Sequence, residues 1–311
     1  AAKTAGGNRQ RQEGANLMDT TSLKKFAQKA RIDLLGQVGA RLDAALAPDS
    51  LERRESPTVV GELEKAVAKC GREQVIEQAA YTWFNRLCAL RFMDLRRYTG
   101  IGIVSPAECQ IQPEILAEAK AGEIDETLVP EPEKRKRILD LLTGKYTNPD
   151  PQGEAYRLLL ISACNHWHKI LPFMFGRIND YTGLLLPNDL LSEKSVPAQI
   201  LAAINADNCG DVEIIGWLYQ FYISEKKDAI FANKNSKIGP ADIPAATQLF
   251  TPHWIVRYLA ENSLGRLWLL NRPDSALADE MPYFIAPCGE QGDSETDFLE
   301  IASPKDIKIC D

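Results

Sequence analysis

The 311 residues are 45% hydrophobic and 25% charged, an ordinary globular composition that excludes disorder over most of the chain. No apolar run approaches the roughly 18 residues of a membrane-spanning helix, so no membrane partner is expected. The net charge of -7 comes from Arg272 to Asp311, with ten acids against three bases; the body before it is neutral and lacks the basic clustering of a nucleic-acid surface.

Residues 1–17 are polar and Gly-rich, precede the first methionine, Met18, and read as a non-native or upstream leader. From Asp19 to Leu46 the pattern is helical: Thr20, Thr21 and Ser22 offer an N-cap, and Leu23, Phe26, Ala30, Leu34 and Val38 recur near helical spacing. Pro48 and Pro57 read as breakers. Glu73 to Tyr98 is the strongest helix, with Ile76, Ala80, Trp83, Leu87 and Leu90 in one stripe and Phe84, Cys88, Phe92 and Leu95 beside it. A stripe that wide implies burial on more than one side, and Gly100 and Gly102 end it.

Six prolines punctuate Ser105 to Gly153, which reads as a connecting region with short helices at Ile115–Lys120 and Lys134–Leu142. Helical patterns resume over Glu154–His168, Val196–Ile204 and Glu213–Ala232, and Asn233 to Pro240 is a polar loop. Over Thr247 to Leu270, Thr251 is the candidate N-cap and Pro252 fits the first turn. Ile255, Val256, Leu259, Ser263, Leu267 and Leu270 then form a stripe expected to be buried. At the end, Ile307 and Ile309 flank Lys308 in a strand-like alternation that leads to Asp311, as the first strand of a nucleotide-binding sheet often does.

Few constellations here carry chemistry. The seven cysteines include no C-x-x-C pair and read as reduced thiols of a cytoplasmic protein, Cys88 and Cys164 as small hydrophobes. His166 and His168, two apart on a helix, point to different faces, with no ligands placed to complete a metal site, so no metal is expected. Gly100-Ile101-Gly102 lacks the third glycine and the preceding strand of a dinucleotide loop. Asn148-Pro149-Asp150-Pro151 lacks the adjacent prolines and aromatic of an amino-methyltransferase tetrad and reads as a turn. Arg86, Arg91, Arg96 and Arg97 are open to either a phosphate-contacting or a structural role. A nuclease reading finds no acidic and lysine cluster on a strand-rich core. The Thr251-Pro252 helix start is compatible with a plain capped helix or with N–H groups framing a polar ligand.

Three segments carry a resemblance. Ala80–Arg97 (AYTWFNRLCALRFMDLRR), Gly216–Lys227 (GWLYQFYISEKK) and Gln248–Asn271 (QLFTPHWIVRYLAENSLGRLWLLN) closely resemble the PglX family of adenine-specific DNA methyltransferases from BREX phage-defence systems. The resemblance runs from about Met18 to Asp311 and implies the front part of such an enzyme. It implies S-adenosylmethionine as cofactor, with double-stranded DNA and other BREX proteins as partners. In that family a Thr-Pro segment before the first sheet strand packs over the cofactor. Gln248, Phe250, Thr251, Pro252 and His253 match or occupy that element, and Asp311 matches the acid that opens the glycine turn. That turn and the Asn-Pro-Pro-Tyr tetrad that holds the adenine are absent from the chain, so no catalytic residue is assigned.

The expectation is therefore a mainly α chain: a helical domain at 18–236, then the incomplete start of a Rossmann-like α/β methyltransferase domain at 238–311. The chain alone is expected to be inactive. The alternative is a non-catalytic helical module that binds protein or DNA.

Overall fold

The first long helix, α1 (Thr20–Leu46), buries Leu23, Ala27, Ala30, Leu34, Val38 and Leu42 along one stripe. It packs against α4, α8 and α9 of a helical core. The computed structural model describes residues 20–178, 180–232, 238–240, 242–286 and 298–308, so the leader at 1–17 and Asp311 lie outside the described residues. The chain divides into two compact units, one up to Gln248 and one from Leu249.

Pro57 marks the expected break between two helices and also opens the second of them. Proline is pre-organised for the first helical turn, where its missing N–H costs nothing, and Pro57 opens α3 (Pro57–Cys70). A short helix, α2 (Leu51–Glu55), precedes it, capped by the Ser50 hydroxyl. The central helix α4 (Arg72–Leu95) buries both predicted stripes, with Trp83 and Phe84 wholly enclosed.

It ends three residues earlier than expected. Arg97 turns into the left-handed region (φ 55°), and the Tyr98 N–H reaches back to the Met93 carbonyl at 2.9 Å. Asp94 then organises the exit. Its carboxylate accepts from the backbone N–H groups of Ile103, Val104 and Ser105 and from the hydroxyls of Thr99 and Ser105, all within 3.1 Å.

The proline-punctuated stretch that follows is more than a connector. Ile115, Leu116 and Ala119 of α5 (Glu114–Ala121), with Ile138 and Leu141 of α6 (Pro132–Leu142), belong to the main core. Next comes α7 (Pro151–His168), with Asp150 as N-cap accepting from the Gly153 N–H at 2.9 Å. Asn148 accepts from the Asp150 N–H, so the expected turn is also a helix start.

Between α7 and α8 (Val196–Ala203) the described chain has no regular helix, a long span for a compact domain. Side chains of the neighbouring helices bind its carbonyls in sequence. Arg86 donates to Gly176, Trp83 Nε1 to Thr182, Arg41 to Leu184, and Arg157 to Leu186 and Pro187, at 2.8–3.0 Å. Asn165 holds both the N–H and the carbonyl of Ile178. Buried polar backbone needs such partners.

The expected single helix over 213–232 is two, α9 (Glu213–Tyr222) and α10 (Ser224–Ala232), broken at Ile223. The short α11 (Ile243–Thr247) packs on α10 and closes the first unit.

In the second unit, α12 (His253–Ala260), a π turn (Glu261–Gly265) and α13 (Arg266–Asn271) run on as one helix. Two side-chain amides bind the later chain to it. Asn262 donates to the Tyr283 carbonyl and accepts from the Ile285 N–H; Asn271 does the same with Leu299 and Ile301. Glu261, buried in the π turn, pairs with Arg257 at 2.8 Å and accepts from the Tyr283 N–H.

The stripe expected to be buried on this helix is not. Leu259 is 57% exposed and Val256 nearly half, with Ile255, Leu267 and Leu270 only half-buried and Ser263 exposed. The physical reason is a shortage of apolar partners: Ile301 is the single large aliphatic side chain buried among the described residues of this unit. No strand occurs among the described residues; Ile307 and Lys308 are irregular, and the rest of the predicted strand, with Asp311, lies outside them.

Candidate functional site

The residues singled out from the sequence fall on both sides of the unit boundary. In the first unit, Gln248 follows α11, and its carbonyl accepts from Lys227 Nζ at 2.8 Å. In the second, Phe250 is half-buried and Thr251 exposed. The helix begins one residue later than expected. Pro252 is its N-cap and His253 its first residue, and no side chain caps it. The Pro252 carbonyl accepts from the N–H groups of Ile255 and Val256. Thr251 therefore contributes no cap.

The arginines of α4 resolve differently from one another. Arg86 is buried, lies 5.1 Å from the Trp83 ring centre and serves the Gly176 carbonyl, and burial lowers its proton affinity. Arg91 donates to the Ile204 carbonyl and the Ser105 hydroxyl. Both are structural. Arg97 is exposed, and Arg96, also exposed, lies over the Phe92 ring.

Sequence reasoning missed a cleft of about 970 Å³ in the first unit, between α1, α4, α9 and α10. Tyr81, Tyr219 and Tyr222 line it, with ring centres 5.4 and 5.8 Å from Tyr81 to the other two. At its edge Glu77 takes Arg31 at 2.6 Å and Lys226 at 2.8 Å, and Asp242 lies 3.6 Å from Lys226, so two acids balance two bases. Burial, then a hydrogen bond with Tyr219, pushes the Tyr81 phenol well up; burial does the same to Tyr222. Phenols held in the protonated form stack and donate hydrogen bonds but do not act as bases. The available signal was the i, i+3 pair Tyr219 and Tyr222 inside a resembling segment.

The two histidines of α7 also depart from expectation. His166 and His168 are both half-buried and line one cavity of about 320 Å³. Their rings turn to different segments, His166 to the Thr127 carbonyl and His168 to that of Phe175, and the cavity reaches both. No group of three or more metal-ligating side chains forms among the described residues.

No family model matches the chain. The chain is 38% identical over 324 aligned positions to the adenine-specific methyltransferase BrxX of Escherichia coli O9:H4 (strain HS), covering 94% of itself and 26% of that protein. It is 34% identical over 293 positions to the adenine-specific methyltransferase PglX of Lacticaseibacillus casei (strain Zhang), covering 81% of itself and 23% of the relative. The chain thus spans about a quarter of the length of the curated relatives it matches. On this identity along nearly its whole length, and on the three segments that first pointed there, the chain belongs to the family of the adenine-specific methyltransferases BrxX and PglX.

Proposed function

We propose that this chain is the front part of a site-specific DNA methyltransferase of a BREX phage-defence system, which carries methyl from S-adenosylmethionine to the N6 of adenine in host DNA. The observation behind this reading is the 38% identity to BrxX across 94% of the chain. In this reading 18–236 is a helical domain that serves as scaffold or docking surface for DNA and other BREX proteins. The span 238–311 opens the methyltransferase domain. Gln248, Phe250, Thr251, Pro252, His253 and Asp311 face the cofactor. The start of α12 is a helix N-terminus whose N-cap, Pro252, makes no side-chain bond to it, a place suited to a polar ligand group.

The chemistry requires an adenine turned out of the duplex and its amino nitrogen held in line with the methyl donor. No Asn-Pro-Pro-aromatic tetrad occurs in these 311 residues. The tetrad belongs, in this reading, to sequence outside them, and the chain by itself transfers no methyl group. Long-read sequencing of the host genome tests the whole. Disrupting the gene that encodes this chain should erase N6-methyladenine at one DNA motif, and an unchanged methylome refutes the proposal. The purified chain, incubated with labelled cofactor and DNA, should incorporate nothing above background.

A further inference from the structure

The cavity of about 320 Å³ at the end of α7 is built unlike its surroundings. Ser162, Asn165, His166 and Lys169 follow one another at i, i+3, i+4 and i+7, which sets a polar stripe on one face of the helix and its cap. His168 and, from the segments on either side, Lys134 and Arg177 join them, with Leu128 and Pro130 in the wall. Glu131, 3.2 Å from Lys134, is the single carboxylate among the described residues of the lining. Two lysines, an arginine and two imidazoles thus meet one acid in a space large enough for a small ligand.

Helix capping does not explain the bases. The last carbonyls of α7 already accept from backbone: His166 from the Lys169 N–H, and Trp167 from those of Ile170 and Leu171. Arg177 makes no ion pair within 4.0 Å among the described residues, and Lys169 is attracted to Glu131 only from beyond that distance. Each imidazole has its Nδ1 at a carbonyl, Thr127 for His166 at 3.0 Å and Phe175 for His168 at 2.8 Å. A carbonyl only accepts, so Nδ1 carries the proton in both rings and Nε2 is the atom left for a ligand. Beneath them the Ser162 hydroxyl is buried with no hydrogen-bond partner, although a buried hydroxyl ordinarily has one.

We propose that this cavity binds a phosphate group, the oxygens taking Lys134, Lys169 and Arg177 as donors. The ring nitrogens of His166 and His168 meet a protonated phosphate oxygen or, once protonated themselves, donate to a bare one. Arginine and lysine gathered around a shaped polar cavity are the usual means of holding such an anion. The site is independent of the methyltransferase reading, since it shares no residue with the cofactor element.

The chain has three histidines, and the third, His253, lies in the other unit, which makes ring NMR signals a direct readout. Titrating the 311-residue chain with inorganic phosphate should move two of the three ring signals saturably and leave the third in place, while chloride at equal ionic strength moves none. In the double variant Lys169→Ala/Arg177→Ala, two exposed positions, phosphate affinity should fall about tenfold or more with the melting temperature unchanged. No response, an equal response from all three rings, or an undiminished response in the double variant overturns the proposal. A short DNA duplex then separates the sources. If it moves the same two signals and phosphate displaces it, the group arrives on nucleic acid; if they stay still, it arrives on a small molecule. Both outcomes retain the site.

Discussion

Asp94 shows how one side chain sets the path of the chain around it. Five donors converge on a half-buried carboxylate, so its loss would strand three backbone N–H groups and two hydroxyls at once. Asp94→Ala should destabilise the chain by about 3 kcal/mol in urea denaturation, at the upper end for charged hydrogen bonds. Arg86 is the opposite case. Two of its guanidinium nitrogens, Nε and Nη1, are buried without partners, which offsets the bond to Gly176. Arg86→Met, which keeps the volume beside Trp83 and removes the charge, should therefore change stability by less than about 1 kcal/mol. Arg86→Ala, which leaves a void there, should cost about 2 kcal/mol or more. Comparing the two variants by thermal melts checks this.

At the scale of elements, the long striped helices were legible; α2, α3 and α11 were not anticipated, and helix endings were not legible. The stripes of α1 and α4 are spaced at three and four residues, and each such residue finds a place in the core or against it. What the sequence hid were exceptions of local backbone. Arg97 turns left-handed ahead of any glycine, Pro57 begins a helix as well as separating it from the one before, and Ile223 breaks a continuous apolar pattern. The irregular span before α8 was illegible for another reason. Its order comes from Arg41, Trp83, Arg86 and Arg157, distant in sequence and unremarkable in pattern. For the candidate site, the Thr-Pro segment was placed at a helix start to within one residue, whereas the histidine cavity was missed because the segments that close it around both rings, 127–134 and Arg177, lie apart in sequence. Thr251 makes a useful probe, being exposed and capping nothing. Thr251→Ala should leave the melting temperature of this chain within about 1 °C, in line with the small effects of surface substitutions. A drop of several degrees would give Thr251 a structural duty in place of the ligand role assigned to it.

At the scale of the whole molecule, the two units rest on different kinds of cohesion. The first has a continuous apolar core from α1 to α9. The second is held by hydrogen bonds from Asn262, Asn271 and Glu261 to passing backbone, many of them open to solvent. Solvent-exposed hydrogen bonds with little apolar cover open locally at low cost. In native-state hydrogen exchange, amides of α4 and α7 should be protected to the level of global unfolding, and those of α12 and α13 should exchange orders of magnitude faster. Equal protection in the two sets would show the second unit to be as firmly built as the first.

The exposed apolar residues of α12 have a practical consequence for anyone handling the polypeptide. Trp254, Val256 and Leu259 present indole and aliphatic surface to water in the native state. A folded preparation should accordingly light up the dye ANS without any denaturant and cling to a phenyl resin at moderate salt. Charged replacements at Trp254 and Leu259 should quench the dye and release the column, giving a better-behaved sample for every titration described above.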